Sequence, residues 1–455
     1  MVRKMTEGSP IKLILAFMVP LLIGNLFQQF YNIADIIIVG RIMGVHALAA
    51  VGASAPVFFI LLGLTMGLAS GFSVVTGQRF GAGDTDGVRR SAAMAAMLSI
   101  SIIAVVTVIL SLAMPLIMEL MNISAELYDD AYSYMSIIIY GVMAMMLYNL
   151  LSCICRALGD SKTPLYFLIV SSVLNVILAL LFIMVFGWGV AGSAIALIIA
   201  QGISAILCFF YMAKRFPMLH VRREDWRFDK AFAWQHLRIG LPMCIQFTII
   251  GLGVLFIQSV CNTFGSETIA GFVSATRIEQ LAMQPMISFG IAMAVFSAQN
   301  YGARRFDRIK KGVRQCSIAT FLFSGVAVAG MFGFGQDVIG IFTTTHDDEL
   351  LAQAMLYLSL SVPCYFFLSQ IFVYRNALQG MGISSVPLIS GILELVLRAV
   401  AAFVLASMWG YIGICLASPI CWIAACIFTA GCYFYVQQTM MKREISKETV
   451  ESELV

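Results

Sequence analysis

The chain has 455 residues, of which 60% are hydrophobic and 11% are charged, and its mean hydropathy is +0.93. Soluble domains are roughly 45–50% apolar and about 25% charged, so this composition excludes an ordinary water-soluble enzyme or binding domain. The net charge of +4 is small. No basic run interleaved with exposed aromatic residues is expected, so nucleic acid is not a predicted partner.

Twelve apolar stretches are long enough to cross a bilayer. A membrane-spanning helix needs about 20 predominantly apolar residues, and helices are the predicted form because unpaired backbone groups are too costly in lipid. The predicted spans are 11–39, 48–77, 91–118, 130–156, 164–186, 190–213, 237–262, 268–299, 313–335, 350–376, 386–408 and 411–436.

The basic residues concentrate on one side of these spans. If both termini are cytoplasmic, 25 of the 28 Lys and Arg lie on the cytoplasmic side. Arg41 then lies outside, and Arg277 and Arg398 lie within spans. This asymmetry follows the positive-inside rule. It predicts a multi-pass protein of the cytoplasmic (plasma) membrane with both termini cytoplasmic, whose first apolar stretch is a span and not a cleaved signal.

The two halves of the chain match each other at an offset of about 221 residues. Gly77–Ala82 (Gly-Gln-Arg-Phe-Gly-Ala) matches Ala298–Ala303, and Arg156–Pro164 matches Gln379–Pro387. Six spans separate the copies, so both halves have the same orientation and are related by a pseudo-two-fold axis along the membrane normal. The predicted fold is all-α, with twelve transmembrane helices in two six-helix lobes. The predicted parts are an N-terminal lobe (1–213), a cytoplasmic linker (214–236) and a C-terminal lobe with a short charged tail (237–455).

These motifs resemble the multidrug and toxic compound extrusion (MATE) family along nearly the whole chain. The resemblance implies an antiporter, coupled to protons or sodium ions, that exports organic cations and other amphipathic drugs by alternating access. We expect a monomer without a cofactor or metal site, whose partners are a cationic amphipathic small molecule and the lipid bilayer. The motifs that carry the resemblance are Pro20, Gln28–Asp35, Val39–Gly40, Leu48–Gly52, the two copies of the Gly-Gln turn, Arg156–Asp160 and Gly189–Gly192.

Asp35 is the leading candidate for cation coupling. Ionisable residues inside a span are costly and mark ion pathways, and a carboxylate there can bind a proton or attract a cation. Because Asp35 lies near the outer end of its span, the alternative is a structural aspartate at the interface. Polar residues 3, 4, 7 and 10 positions earlier share its helix face; they are Asn32, Tyr31, Gln28 and Asn25.

The second half does not repeat this chemistry. The position that matches Asp35 is Phe256 or Ile257, which is apolar. The resemblance adds Asn175 of the fifth span to the site, whereas the matching residue in the second half is Arg398. Some branches of the family carry an acidic residue in helix 7 and another in helix 10, and this sequence has neither. Asp35 and Asn175 are therefore the predicted cation-coupling residues.

Four further ionisable residues lie within spans of the second half. Glu394 and Arg398 are four residues apart and can pair along one helix, whereas Arg277 and Glu279 are two apart and point to different sides. Each is either a cavity residue or a structural ion-pair partner. The predicted substrate cavity comprises Asn25, Gln28, Tyr31, Asn32, Arg277, Glu279, Gln280, Gln284, Glu394 and Arg398.

Two other functions compete with drug export. A lipid-linked oligosaccharide or lipid flippase of the same superfamily would bind anionic headgroups, but only Arg277 and Arg398 are basic residues within spans. A membrane-embedded enzyme would need a nucleophile set, a metal set or a phosphate-binding loop inside the spans, and we find no such motif. We therefore expect a transporter and not an enzyme.

Overall fold

The computed structural model describes the backbone of residues 4–342 and 348–453. It describes their side chains except at 32–37, 39, 45, 254–255, 266, 338, 341–342 and 441–453. Within these residues the chain forms thirteen α-helices and no strand. The helices are α1 (Pro10–Ile38), α2 (Gly44–Gly81), α3 (Thr85–Leu120), α4 (Ala125–Ala157), α5 (Lys162–Leu180), α6 (Gly189–Arg215), α7 (Lys230–Cys261), α8 (Ser266–Gly302), α9 (Phe306–Phe342), α10 (Asp348–Ser361), α11 (Tyr365–Gly380), α12 (Ser385–Trp409) and α13 (Tyr411–Glu453).

Twelve helical stretches of the described chain are long and apolar enough to cross a membrane. α10 and α11 form one of these stretches, Asp348–Gly380, interrupted by a short 3₁₀ turn at Val362–Cys364. Pro363 explains the interruption, because proline removes a backbone donor and clashes with the preceding helical turn. The prediction of an all-helical protein with twelve spans is confirmed.

The helices pack into two compact units. The N-terminal unit consists mainly of Val19–Thr248, and the C-terminal unit of Met5–Met18 and Ile249–Val455. α1 and α7 therefore each contribute residues to both units. In the N-terminal unit, the first part of α7 packs closely on α2 at Gly67 and Gly71. A Cβ atom at either glycine would overlap the backbone of α7.

The duplicated motifs have the same backbone conformation in both halves. Each matched pair occupies the left-handed region, which favours glycine because it has no Cβ atom. After α4 and after α11, three equivalent backbone amide groups close the helix end with hydrogen bonds. The matched pairs are Gly159 and Gly382 (φ +87° and +82°), Gly189 and Gly410 (+55° and +58°), and Gly83 and Arg304 (+74° and +55°).

Candidate functional site

In the N-terminal unit, the polar face of α1 contacts α5 through Tyr31 and Asn175. The Tyr31 hydroxyl donates a hydrogen bond of 2.6 Å to Asn175 Oδ1. Asn175 is only 2% exposed, so this bond satisfies an amide oxygen that would otherwise be buried without a partner. The two helices approach closely at Gly24, where a Cβ atom would lie 3.3 Å from Leu165. The structure thus brings Asn175 to the polar face of α1.

The other residues of this face are described only in part. Asn25 and Gln28 are half-buried and each makes a polar or electrostatic interaction. The side chains of Asn32 and Asp35 lie outside the described residues. The backbone of α1 is helical up to Ile38 and continues as a π-helical turn at Val39–Met43. Such turns are rare and are frequent at functional sites.

In the C-terminal unit, Glu279 of α8 is buried within the core. The Tyr357 hydroxyl of α10 donates a hydrogen bond of 2.5 Å to Glu279 Oε2. Glu279 is 7% exposed, and it takes part in no ion pair within 4 Å among the described side chains. A buried carboxylate whose nearest donor is a hydroxyl is a polar group of the kind that marks ion pathways in membrane proteins.

The second buried glutamate, Glu394 of α12, pairs with a different helix from the one expected. Arg375 Nη1 of α11 lies 3.1 Å from Glu394 Oε1, and the Ser390 hydroxyl also donates to this oxygen at 3.3 Å. The expected pairing of Glu394 with Arg398 along one helix is wrong. Arg375 reaches across the interface between α11 and α12 and forms the ion pair with the Glu394 carboxylate.

Arg398 is buried at 8% exposure, and its Nε has no hydrogen-bond partner among the described residues. Space for the guanidinium exists because Gly253 of α7 lacks a side chain; a Cβ atom there would lie 3.1 Å from Arg398 Nη1. Arg398 also lies near enough to Glu279 for an electrostatic interaction between the two side chains. Glu279, Glu394, Arg375 and Arg398 therefore form a buried charged cluster within the C-terminal unit.

The predicted cavity residues of α8 lie on two sides of the helix. Arg277 and Gln280 are exposed, whereas Glu279 and Gln284 are buried. The Gln284 side chain donates to the Gln280 carbonyl oxygen at 3.0 Å, so it is bound within its own helix. The expectation that Arg277 and Glu279 point in different directions is confirmed.

Sequence reasoning missed two residues of this cluster. Arg375 is one of the 25 Lys and Arg that the predicted topology counts on the cytoplasmic side, yet it is 6% exposed within α11. Tyr357 is not among the predicted site residues. The signal that could have identified Arg375 is its position inside the predicted span 350–376. No sequence pattern identifies Tyr357 as the partner of Glu279.

The copy of the Gly-Gln motif in the C-terminal unit binds the N-terminal segment of the chain. Gln299 Oε1 accepts a hydrogen bond of 2.8 Å from the Met5 backbone N–H. Asn300 Nδ2 and Arg308 Nη2 donate to the Met5 carbonyl oxygen at 3.1 and 3.2 Å, and the Met5 side chain is fully buried. Arg305 Nη1 donates to the Thr6 carbonyl oxygen. This duplicated motif therefore anchors the segment that precedes α1.

In the N-terminal unit, α3, the helix that follows the first copy of this motif, contacts the segment that precedes α7. Asp225 Oδ2 accepts hydrogen bonds from Arg89 Nε at 2.5 Å and from the Arg222 backbone N–H at 2.7 Å. Burial raises the pKa of Asp225, but the hydrogen bonds from Arg222 and Arg89 outweigh this effect and lower it overall. At the start of α7, His236 Nε2 lies 2.9 Å from the Ser91 hydroxyl of α3.

The comparisons with known proteins agree with this architecture. The MatE family model matches residues 20–181 and 242–404, one match in each half. "Probable multidrug resistance protein YoeA" of Bacillus subtilis strain 168 is 30% identical over 76% of both chains. "Multidrug export protein MepA" of Staphylococcus aureus strain MRSA252 is 22% identical over 92% of this chain and 93% of that protein.

Solved structures share the fold over almost the full length. An outward-facing multidrug resistance MATE family transporter of the MOP superfamily superimposes with a TM-score of 0.88, at 24% identity over 96% of this chain and 98% of that chain. A MOP superfamily transporter from Pyrococcus furiosus gives the same values. These likenesses show the fold, and the matches to both halves show the family. The chain belongs to the MATE family of efflux transporters.

Proposed function

We propose that the protein is a cation-coupled antiporter that exports amphipathic organic cations by alternating access. The names of its relatives, a probable multidrug resistance protein and a multidrug export protein, support small-molecule drugs as substrates. The coupling ion is a proton or a sodium ion. Both termini and the α6–α7 connection face the cytoplasm, in accordance with the distribution of basic residues.

We assign cation coupling to the N-terminal unit, at Asp35 and Asn175. The observation that supports this assignment is the hydrogen bond between Tyr31 and Asn175, because it joins Asn175 of α5 to α1 at a residue that precedes Asp35 by about one helical turn. The equivalent position in the second half is apolar, and Asn175 is replaced there by Arg398. A fixed guanidinium repels a coupling cation, whereas a carboxylate attracts it.

The C-terminal unit contributes the substrate cavity in this proposal. Arg277 and Gln280 are its exposed polar residues on α8, and the cluster around Glu279 and Glu394 lies behind them in the core. A flippase for anionic headgroups is less well supported. Of Arg375 and Arg398, the two arginines buried among the described residues of this unit, Arg375 is paired with Glu394, so only Arg398 is left to bind an anionic headgroup.

Transport by reconstituted protein tests the proposal. Proteoliposomes loaded with ethidium receive a proton gradient or a sodium gradient, one at a time, and the release of ethidium is followed. One gradient should drive efflux by the wild type, and Asp35→Asn should abolish the coupled component. The variant Glu279→Gln is the matched control, because it removes a buried acid from the other unit and leaves the Arg375–Glu394 ion pair in place. If coupling survives Asp35→Asn but vanishes in the control, the assignment to the N-terminal unit is wrong.

A further inference from the structure

The connection between α6 and α7 exposes large aromatic side chains. Trp226, Phe228 and Trp234 are 48%, 61% and 61% exposed. Exposing such surface to water is unfavourable, whereas Trp and Phe rings are well accommodated at the interface between headgroups and acyl chains. The expectation that no basic run is interleaved with exposed aromatic residues is therefore wrong for this segment.

The same segment carries positive charge that the protein does not neutralise. Of its three acidic residues, Asp225 is bound to Arg89 and Asp229 Oδ2 lies 3.6 Å from Arg90 Nη2, so α3 occupies two of them, and Glu224 is exposed. The exposed basic residues of the segment take part in no ion pair within 4 Å among the described side chains. They are Arg222, Arg223, Arg227 and Lys230, which together outnumber the exposed Glu224.

The segment begins where the apolar outer surface of the unit ends. Phe209 and Phe210, near the end of α6, are 56% and 64% exposed, and exposed apolar side chains on a membrane span face lipid. The connection then packs against the first turns of α3, a helix that exposes Leu112 and other apolar residues farther along. The aromatic and basic side chains of the segment thus lie next to the lipid-facing surface, at the end where the spans leave the membrane.

We propose that residues 221–234 form an interfacial anchor that binds the headgroups of anionic phospholipids. The exposed basic residues bind the phosphates, and the three aromatic rings insert at the boundary of the acyl chains. The bond between Arg89 and Asp225 holds the segment against α3. The inference rests on the proposed cytoplasmic location of this connection, where anionic lipids are exposed to it. Continuity with the lipid-facing surface favours lipid over nucleic acid.

Tryptophan quenching in lipid nanodiscs tests the anchor on the full-length chain. The emission of Trp226 and Trp234 is obtained as the difference between the wild type and Trp226→Phe/Trp234→Phe. Phosphatidylglycerol with brominated acyl chains replaces phosphatidylcholine stepwise. We expect brominated phosphatidylglycerol to quench this difference signal strongly, and more strongly than brominated phosphatidylcholine does. The preference should fall about fivefold for each basic residue removed in Arg223→Gln/Arg227→Gln/Lys230→Gln.

The control removes the same charge elsewhere. Arg304→Gln/Lys310→Gln/Lys311→Gln, in an exposed basic segment at the start of α9, should leave the quenching unchanged. The proposal would be overturned if only aqueous iodide quenched the signal, or if neither iodide nor brominated lipid did. It would also be overturned if both brominated lipids quenched it equally. Loss of the lipid quenching on addition of a single-stranded oligonucleotide that carries the same total negative charge as the anionic lipid would also overturn the proposal. Because nanodiscs expose both faces and no substrate is present, the result is independent of cation coupling.

Discussion

Arg375 of α11 and Glu394 of α12 form an ion pair of 3.1 Å in the core of the C-terminal unit. Both residues are less than one-tenth exposed, and the Ser390 hydroxyl adds a hydrogen bond to the same carboxylate oxygen. Moving two charges out of water is costly, so a buried pair contributes little net stability but is expensive to break. The pair therefore specifies how α11 and α12 pack against each other.

Breaking this pair on one side should destabilise the protein more than removing it completely. Arg375→Met and Glu394→Met should each cost about 3–5 kcal/mol, because each leaves an uncompensated buried charge. The double variant Arg375→Met/Glu394→Met should recover most of the loss. Chemical unfolding in detergent measures all four proteins, and additive losses in the double variant would show that the two side chains do not act as a pair.

Tyr31→Phe should weaken coupled transport without changing the fold. The substitution removes the hydroxyl that holds Asn175, and a typical buried hydrogen bond contributes about 1 kcal/mol, which corresponds to about a fivefold loss of transport rate. Asn175→Leu should have the same effect, and the double variant should be no worse than either single one. Rates in proteoliposomes under an imposed gradient check this. Full additivity of the two losses would contradict a shared role.

The contribution of Asp225 to stability should disappear in acid. Its pKa in the folded protein lies below the ordinary value of about 3.9, so its stabilisation is present above that value and is lost as the pH falls through the lowered pKa. Asp225→Asn should therefore melt at a lower temperature than the wild type at pH 7, and this difference should shrink below about pH 4. Melting curves across this range measure the effect. A difference that does not depend on pH would mean that the charge of Asp225 is not responsible.

The matched positions Gly83 and Arg304 should respond in opposite ways to substitution. Both have a left-handed backbone, which costs a residue with a side chain about 1–2 kcal/mol. Gly83→Ala should thus lower stability by about 1 kcal/mol, whereas Arg304→Gly should be neutral or stabilising. Thermal unfolding of each variant in the same detergent gives the comparison. Loss of stability in Arg304→Gly would show that the arginine side chain outweighs the backbone strain.

The orientation of the chain should be visible by cysteine labelling. A cysteine at Arg223 should react with an impermeant maleimide only after the cells are opened, because the α6–α7 connection is proposed to be cytoplasmic. A cysteine at Asp130, which lies at an exposed helix start on the opposite side of the predicted topology, should react in intact cells. Unsubstituted protein supplies the background from the native cysteines. The reverse labelling pattern would invert the topology.

Hydropathy and charge were sufficient to predict the twelve spans, because the cost of placing backbone and charge in lipid depends on composition alone. The repeat matched Arg156–Pro164 with Gln379–Pro387 by sequence, and the structure gives Gly159 and Gly382 in these segments the same left-handed backbone. Contacts across helices were not predictable in the same way. Whether Glu394 meets Arg398 or Arg375 depends on the rotation and depth of α11, and no local pattern encodes either.

The bond between Met5 and Gln299 has a consequence for biosynthesis. The two residues are 294 positions apart in the chain, so at about 5–20 residues per second roughly 15–60 s pass between their synthesis. During that interval the first helix is already made, but its N-terminal segment has no binding site. The segment around Met5 can therefore bind Gln299 only late in assembly. A purification tag placed directly before Met5 would compete with it, whereas a tag at the other end of the chain would not.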